Sequence, residues 1–162
     1  MNITRLTYFV LLFLIFSCSR KQDFKPTVKL DTILKKEKLK NDYNEFRLDN
    51  VYLYLGIEKR QSFIKFREQT SISDLILMTE CEKPIVRCFA FKMLVEKDYY
   101  KIRELLFKHR SDNEYLEVYH PPCVRMNEKV KVYMLQQLGP FSDSKMKFNR
   151  AEYDQIWADF FK

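Results

Sequence analysis

The strongest pattern of apolar and polar positions lies between residues 71 and 110, where it predicts three helices. After Ser71, a candidate N-cap, apolar side chains recur at helical spacing as far as Cys81. Residues 85–96 follow Pro84, a residue that suits the first turn of a helix. This segment is apolar nearly all round, which indicates a buried helix. A third helix is predicted to be capped by Asp98 and to end on three cations that suit the helix dipole, Lys108, His109 and Arg110.

The patterns before and after this block are weaker. Residues 28–46 predict a polar, surface-lying helix capped by Asp31, and residues 51–55 form either a short strand or a buried turn. Residues 115–119 alternate like a strand, and residues 128–138 predict a helix. The sequence therefore predicts a mainly α fold with a minor β-strand or hairpin.

Asn149 is the candidate N-cap of a last helix that covers residues 150–161. Its inner face carries four apolar side chains, Tyr153, Ile156, Trp157 and Phe160. The 162 residues of the chain are enough for one domain. Only two glycines occur, so the sequence offers no glycine-rich loop of the kind that binds phosphate.

Residues 1–17 carry the pattern of a secretory signal peptide. Arg5 precedes an apolar run, 6–16, that ends at the small residue Ser17. A membrane-spanning helix needs about 20 apolar residues, and Arg20 stops this run from extending. We therefore predict that the chain is exported.

The four residues Ile15-Phe16-Ser17-Cys18 resemble the lipobox of bacterial lipoproteins. The resemblance implies that Cys18 becomes the first residue of the mature chain and carries a thioether-linked lipid, with acyl chains such as palmitate. Several acyl chains on one cysteine make a stable anchor. The alternatives are an ordinary signal peptide with an incidental cysteine, or an uncleaved anchor. The predicted layout is a signal peptide at residues 1–17, a lipidated N-terminus with its tether at 18–27, and one helical domain at 28–162.

Ser19 follows the cysteine without an acidic run. By resemblance to lipoprotein sorting rules, this implies a cell-envelope location in the outer membrane, facing the periplasm. Removal of residues 1–17 takes away Arg5 and no acid, which lowers the formal charge from +7 to +6. The basic residues cluster near the anchor, where they favour anionic headgroups, although a solvated helix face is the alternative. An exported chain rarely meets nucleic acid, so no nucleic-acid partner is predicted.

Residues 83–94 resemble the second helix of a HEAT-type repeat, through Pro84, Val86-Arg87, Ala90 and Leu94. The wider stretch 74–138 is similar to uncharacterised HEAT-repeat-like proteins of Bacteroidetes-type bacteria. The matching segments are Val86-Arg87-Cys88-Phe89-Ala90-Phe91, His109-Arg110-Ser111-Asp112 and Cys123, with Pro122 where the group has glycine. The resemblance implies a short HEAT-like helical bundle or solenoid fragment with its core at 71–138.

The same group has a cysteine at each of two matching places, Cys88 and Cys123, which makes these two residues a candidate disulfide. Residues near Cys123 have little apolar content, so a covalent tie would help to hold them, and an exported chain meets an oxidising environment. Cys81 competes for either partner. Three reduced, buried thiols are the alternative.

The remaining polar residues make no recognisable catalytic or metal-binding pattern. His120 and the cysteines lack zinc-site spacing, so no metal and no cofactor are predicted. His109 is interpreted as a capping cation. Glu80, Glu82 and Asp112 are candidate paired carboxylates, but charged residues make up 31% of the chain, so such coincidences are expected.

These observations favour a non-catalytic, membrane-anchored envelope lipoprotein that acts as a protein-interaction or structural module. The predicted partners are the membrane, through lipid on Cys18, and an envelope protein of unknown identity. No small-molecule substrate is predicted. The alternative is an envelope hydrolase that uses carboxylates.

Overall fold

A computed structural model describes residues 23–35, 53–54, 61–120 and 124–161. Cys18 and Cys123 lie outside these residues. The described elements, in chain order, are α1 (Leu30–Leu34), β1 (Leu53–Tyr54), α2 (Gln61–Gln69), α3 (Ile72–Thr79), α4 (Pro84–Glu96), α5 (Ile102–Lys108), β2 (Tyr115–His120), β3 (Val124–Lys129), α6 (Val130–Gln136) and α7 (Arg150–Phe160). The fold is mainly α with a small sheet, as the sequence predicts.

Helix α4 is the centre of the core and packs against α3. Pro84 occupies its first turn, as predicted, because a residue without an N–H leaves no donor unsatisfied there. Ala90 and Leu94 are fully buried. Ser71 caps α3, since its Oγ accepts a hydrogen bond from the backbone N–H of Asp74 at 3.1 Å. The two local signals that begin these helices are therefore confirmed.

Side chains from distant parts of the chain complete the core around α4. Ile33 of α1 and Phe66 of α2 are both buried, and the Phe66 ring meets the Phe89 ring edge to face at 5.7 Å between centroids. Burial of one such side chain contributes about 1.5–3 kcal/mol. Helix α1, the first helix of the described residues, is therefore part of the packed domain.

The sheet has the strand order β1-β2-β3, with β2 parallel to β1 and antiparallel to β3. The predicted strand at 115–119 is confirmed by β2. Strand β3 was not predicted, because Val124–Lys129 is polar and exposed along most of its length. The predicted helix at 128–138 begins only at Val130, since Glu128 and Lys129 pair with Leu116 and Tyr115 of β2.

Two predicted helix caps are wrong. Asp31 lies inside the first turn of α1, and the N-cap residue is Lys29. Asp98 follows Lys97, the C-cap of α4, and does not start α5, whose N-cap is Lys101. The backbone of Asp98 is left-handed, with φ of 52°, because the chain wraps back so that Tyr99 N–H donates to Leu94 O at 3.0 Å. This arrangement closes the last turn of α4.

Helix α7 is confirmed together with its cap. Asn149 Oδ1 accepts from the N–H of Glu152 at 2.9 Å, and Glu152 Oε2 accepts from the N–H of Asn149 at 3.0 Å, which forms a capping box. Phe160 is buried, and the other three predicted inner residues pack partly buried against the core.

Arg103 of α5 holds the loop that precedes α7, since its side chain donates hydrogen bonds to Met146 O at 2.9 Å and to Lys147 O at 2.7 Å.

Candidate functional site

Two segments that are distant in sequence, 86–91 and 109–112, meet in a buried ion pair. Arg87 donates through Nε to Asp112 Oδ2 at 2.9 Å and through Nη2 to Asp112 Oδ1 at 3.0 Å. Its Nη1 donates to Cys81 O at 2.7 Å, and Glu114 Oε2 lies 3.4 Å from Nη2. The two side chains are 0% and 1% exposed. A bidentate guanidinium–carboxylate pair of this kind fixes orientation as well as distance.

His109 lies against this pair and is completely buried. Its Nδ1 is 3.4 Å from Asp112 Oδ2, and its Nε2 is 3.8 Å from Glu80 Oε1. Within the described residues, Nε2 has no hydrogen-bond partner. The prediction that His109 lies at the end of α5 is confirmed, since it is the C-cap residue of that helix, and its side chain is buried in the domain. Residues that are distant in sequence cover the His109 side chain, and the local sequence pattern around His109 does not reveal this burial.

Phe24 covers this polar centre, which we define as Arg87, His109, Asp112 and Glu80. The Phe24 ring lies 4.2 Å from the His109 ring, centroid to centroid, and 5.3 Å from Arg87 Cζ. Phe24 belongs to the predicted tether, so the tether contacts the domain from this residue onward. An aromatic face over a guanidinium is a favourable cation–π arrangement.

Backbone hydrogen bonds hold the residues that follow Phe24. The N–H groups of Thr27 and Val28 both donate to Glu80 O, at 3.1 and 3.0 Å, and Glu82 N–H donates to Val28 O at 2.8 Å. Val28 also forms a parallel bridge with Cys81. The N-terminal segment is thus attached to the turn between α3 and α4.

The three candidate carboxylates do not form a catalytic pair. Glu80 and Asp112 approach different nitrogens of His109, and each has its own cation, Lys108 at 2.7 Å and Arg87 at 2.9 Å. Glu82 is exposed and accepts a hydrogen bond from the N–H of Leu30 at 3.3 Å. An acid/base pair needs both groups within reach of one substrate, and this arrangement does not provide that.

The two described cysteines, Cys81 and Cys88, are free and buried. Burial raises the pKa of the Cys88 thiol well above its usual value, and the nearby Asp112 charge raises it further. Burial also raises the pKa of Cys81. Such thiols are poor nucleophiles. Since Cys123 lies outside the described residues, the Cys88–Cys123 disulfide stays a prediction.

Metal binding has no support in the described part of the chain. No group of three or more His, Cys, Asp or Glu side chains is placed there to hold an ion. The side chain of His120 and the whole of Cys123 are not described.

An open cleft of about 810 Å³ lies at the other end of α4. Glu96 and Asp98 line it from the end of that helix, and Tyr153 lines it from α7. Lys145 Nζ lies 2.6 Å from Asp98 Oδ2. That hydrogen bond raises the pKa of Lys145, whereas burial raises the pKa of Tyr153. The cleft is large enough to admit a ligand of substantial size.

Phe141, on the loop between α6 and α7, lines this cleft and is 90% exposed. Hydrogen bonds hold the loop: Ser142 N–H donates to Gly139 O at 2.9 Å, and Ser142 Oγ donates to Gln137 O at 2.7 Å. The phenyl ring is therefore presented to solvent by a well-bonded turn. The sequence analysis missed this residue, although a large apolar side chain directly after Gly139-Pro140, a turn dipeptide, was a usable signal.

Comparisons with known proteins give no relative. No family model matches the chain, no curated protein is significantly similar to it, and no solved structure matches its fold. Among the described residues, no helix combines the length and the apolar character that a bilayer crossing requires.

Proposed function

We propose that this chain is a lipid-anchored protein of the bacterial cell envelope, in which one small helical domain binds another envelope protein and catalyses no reaction. The proposal has two parts, an anchor at Cys18 and a binding face on the domain. The observation that supports the binding face is the open cleft beside Phe141.

The anchor is proposed from the sequence of residues 1–18. A basic start, an apolar run and Ser17-Cys18 together are typical of lipoprotein precursors. The outer membrane is the proposed destination, since no acidic run follows Cys18. We also propose that α3 and α4 represent a HEAT-like helix pair, in which Pro84 starts the second helix and the small Ala90 lets the helices approach closely.

The cleft supports binding and not catalysis for a physical reason. Its charges occur in pairs, such as Lys145 with Asp98 and Arg150 with Asp154, so it offers hydrogen-bonding groups without a strong field of either sign. Phe141 supplies an exposed aromatic side chain, and aromatic residues, Phe included, are enriched at the core of protein interfaces. The polar centre, with its buried charges, is covered by the ring of Phe24, which contacts His109 and Arg87.

Mass spectrometry of the N-terminus tests the anchor. Protein extracted from a bacterial envelope is expected to begin at Cys18 with a lipid adduct, and the Cys18→Ala variant is expected to retain residues 1–17. A mature chain that starts at another residue, or an unmodified Cys18, contradicts the anchor.

Site-specific photocrosslinking tests the binding face. A photoreactive phenylalanine analogue at position 141 is expected to form one adduct of defined mass in intact envelopes. The matched control is position 100, because Tyr100 is also an aromatic residue that is 72% exposed but does not line the cleft. Equal adducts from both positions, or none from position 141, contradict a binding face at the cleft.

The hydrolase alternative has no observation in its favour. Two of its candidate carboxylates, Glu80 and Asp112, are buried beside a cation, and the third, Glu82, is exposed and accepts a hydrogen bond from the N–H of Leu30. We therefore propose the binding function alone.

A further inference from the structure

The ring of His109 lies between two carboxylates, one at each of its nitrogens. Nδ1 is 3.4 Å from Asp112 Oδ2, and Nε2 is 3.8 Å from Glu80 Oε1. The imidazole is 0% exposed, so water does not reach either nitrogen. Each nitrogen therefore faces a hydrogen-bond acceptor inside the domain.

A neutral imidazole does not satisfy this arrangement. It carries one N–H group and one bare nitrogen, so in either tautomer one lone pair points at a carboxylate oxygen. The imidazolium has two N–H groups, and each can donate a charge-assisted hydrogen bond to one carboxylate. Such bonds span about 2.7–3.2 Å, so Glu80 has to move by roughly 1 Å to close the gap to Nε2. One proton thus converts an unfavourable contact into a favourable one.

The ion pairs around His109 leave one negative charge for that proton to balance. They involve two cations and three carboxylates: Arg87, Lys108, Asp112, Glu80 and Glu114. Arg87 is bound to both Asp112 and Glu114, and Lys108 is bound to Glu80. A charged His109 makes the numbers of positive and negative groups equal.

Other titratable groups of the surrounding elements do not alter this balance. Burial raises the pKa of the Cys88 thiol well above its usual value, so that thiol stays neutral. Lys131 of α6 donates its backbone N–H to Asp112 O at 3.2 Å, but its Nζ donates to Phe160 O at 2.7 Å. The charged groups on the outside of the same region are exposed: Asp23, Lys25, Glu82, Lys83 and Arg110. Water and salt screen exposed charges.

Glu80 connects the His109 ring to the N-terminal segment 24–28. Its backbone oxygen accepts the N–H groups of Thr27 and Val28, at 3.1 and 3.0 Å, and its Oε2 accepts the Thr27 hydroxyl at 3.4 Å. The Phe24 ring lies against His109 itself, 4.2 Å away between centroids. A positive charge on His109 also favours this contact, because aromatic faces attract cations.

We propose that a proton on His109 fastens residues 24–28 to the domain, so that the attachment of this segment depends on pH. Histidine is the side chain that changes its charge between about pH 5 and 8. The attached segment encloses the proton between Glu80 and Asp112, whereas a detached segment leaves the ring facing water. Since the attached form binds the proton more tightly, attachment is favoured in acid and weakens as pH rises.

Detachment uncovers the polar centre and frees the chain that precedes α1. Where the proposed lipid holds Cys18, the domain can then move farther from the membrane at higher pH. That consequence rests on the proposed function. The attachment itself involves residues 24–28 and the polar centre, and the measurements that follow do not depend on a lipid.

Amide hydrogen exchange measures the attachment. The full chain, purified in detergent from a bacterial envelope, is exchanged at about pH 5.5 and about pH 8, and each protection factor is corrected for the intrinsic pH dependence of exchange. Protection of the Thr27 and Val28 amides is expected to be roughly ten-fold higher at the lower pH, the effect of one hydrogen bond to a charged group. The control is the N–H of Phe148, which donates to Leu138 O at 2.9 Å and should not change. Equal protection of Thr27 and Val28 at both pH values, or higher protection at the higher pH, overturns the inference.

Two variants on the same turn test the role of the carboxylate. Glu80→Gln keeps the backbone oxygen and the size of the side chain but removes the charge, so it is expected to lose most of the pH dependence at Thr27 and Val28. Glu82→Gln is the matched control, because Glu82 is exposed and accepts the N–H of Leu30 at 3.3 Å; it is expected to keep the pH dependence. Any other pattern from two folded variants contradicts the inference.

Nitrogen-15 NMR of His109 provides a test that needs no variant. In the parent protein, both ring nitrogens are expected to show the chemical shifts of an imidazolium at about pH 5.5 and those of a neutral ring at about pH 8. The loss of the proton should coincide with the loss of amide protection at Thr27 and Val28. A ring that stays neutral at the lower pH, or that loses its proton without a change at these amides, overturns the inference.

Discussion

Two ion pairs at opposite ends of α4 have similar geometry and very different surroundings. Arg87 and Asp112 lie 2.9 Å apart with side chains that are 0% and 1% exposed. Lys145 and Asp98 lie 2.6 Å apart with side chains that are 80% and 41% exposed. The exposed pair contributes little to stability although it is shorter, because water and salt screen it. Burial, and not distance, decides what each pair does for the domain.

The two pairs also differ in what happens to the carboxylate when its cation is removed. Water reaches Asp98 at once if Lys145 moves, so the pair can open at little cost beside a binding cleft. Asp112 is enclosed by Arg87, His109 and the covering Phe24, so loss of Arg87 leaves a buried charge without its cation. The first pair suits a surface that adapts to a partner, and the second suits a fixed interior.

Replacement of Arg87 by methionine is the largest expected effect. Breaking a buried pair from one side costs about 3–5 kcal/mol, which is a large part of the roughly 5–15 kcal/mol that stabilises a domain. Urea denaturation of Arg87→Met is therefore expected to show a much lower free energy of unfolding, or no folded protein.

The double variant Arg87→Met/Asp112→Leu is the control for this prediction. It removes both charges and is expected to recover much of the lost stability, since a buried pair exchanged for apolar residues is often neutral. A double variant as unstable as the single one would show that the hydrogen bond to Cys81 O, and not the charge on Asp112, is what matters.

The buried environment also predicts a pH dependence. The pKa of Cys88 is raised in the folded state by burial and then by Asp112, whereas an unfolded thiol titrates near 8.5. The folded state therefore holds its proton where the unfolded state releases it, and the free energy of unfolding falls as pH rises above about 8.5. Urea midpoints from pH 7 to 9.5 are expected to fall less for Cys88→Ala than for the parent. Identical slopes would show that Cys88 does not contribute.

Asp98→Gly tests the backbone at the exposed pair. An L-residue in the left-handed region costs about 1 kcal/mol or more relative to glycine, somewhat less for Asp. Since φ is 52° here, we expect Asp98→Gly to raise the urea midpoint slightly despite the lost contact with Lys145. Asp98→Ala keeps the unfavourable conformation, loses the same contact, and is expected to lower the midpoint. A lower midpoint for the glycine variant would contradict this reasoning.

Lys145→Ala is the smallest expected effect. The exposed pair is screened by water, so the urea midpoint is expected to stay within experimental error of the parent. A clear loss of stability would contradict the difference drawn between the two ion pairs, because the exposed pair would then behave like the buried one.

The sequence predicted the parts of the fold that depend on local chemistry. Ser71, Pro84 and Asn149 each begin a helix through their own side chain or ring, so their neighbours hardly matter. The segment 85–96 could be recognised as buried because a helix that is apolar all round has no polar face to turn toward water. Strand β2 was found from its alternation of Leu116 and Val118 with polar residues.

The parts that were missed depend on contacts between distant residues. Strand β3 exists because β2 offers it hydrogen-bonding partners, while its own residues, such as Arg125 and Asn127, show no strand pattern. His109 is buried because Phe24, 85 positions earlier, covers it. The cleft arises where α4 meets the loop that carries Phe141. None of these contacts leaves a periodic trace in one sequence.

The attachment of residues 24–28 also sets the path of mechanical load. A pull on the N-terminal side of residue 24, which the proposed lipid on Cys18 would exert, reaches the Phe24 ring first and then the two hydrogen bonds to Glu80 O. These weak contacts yield before Ile33, which is anchored in the core. When these contacts break, the chain between residue 24 and α1 can extend by several residues while α3 and α4 stay folded. The segment can therefore lengthen under force without unfolding the domain.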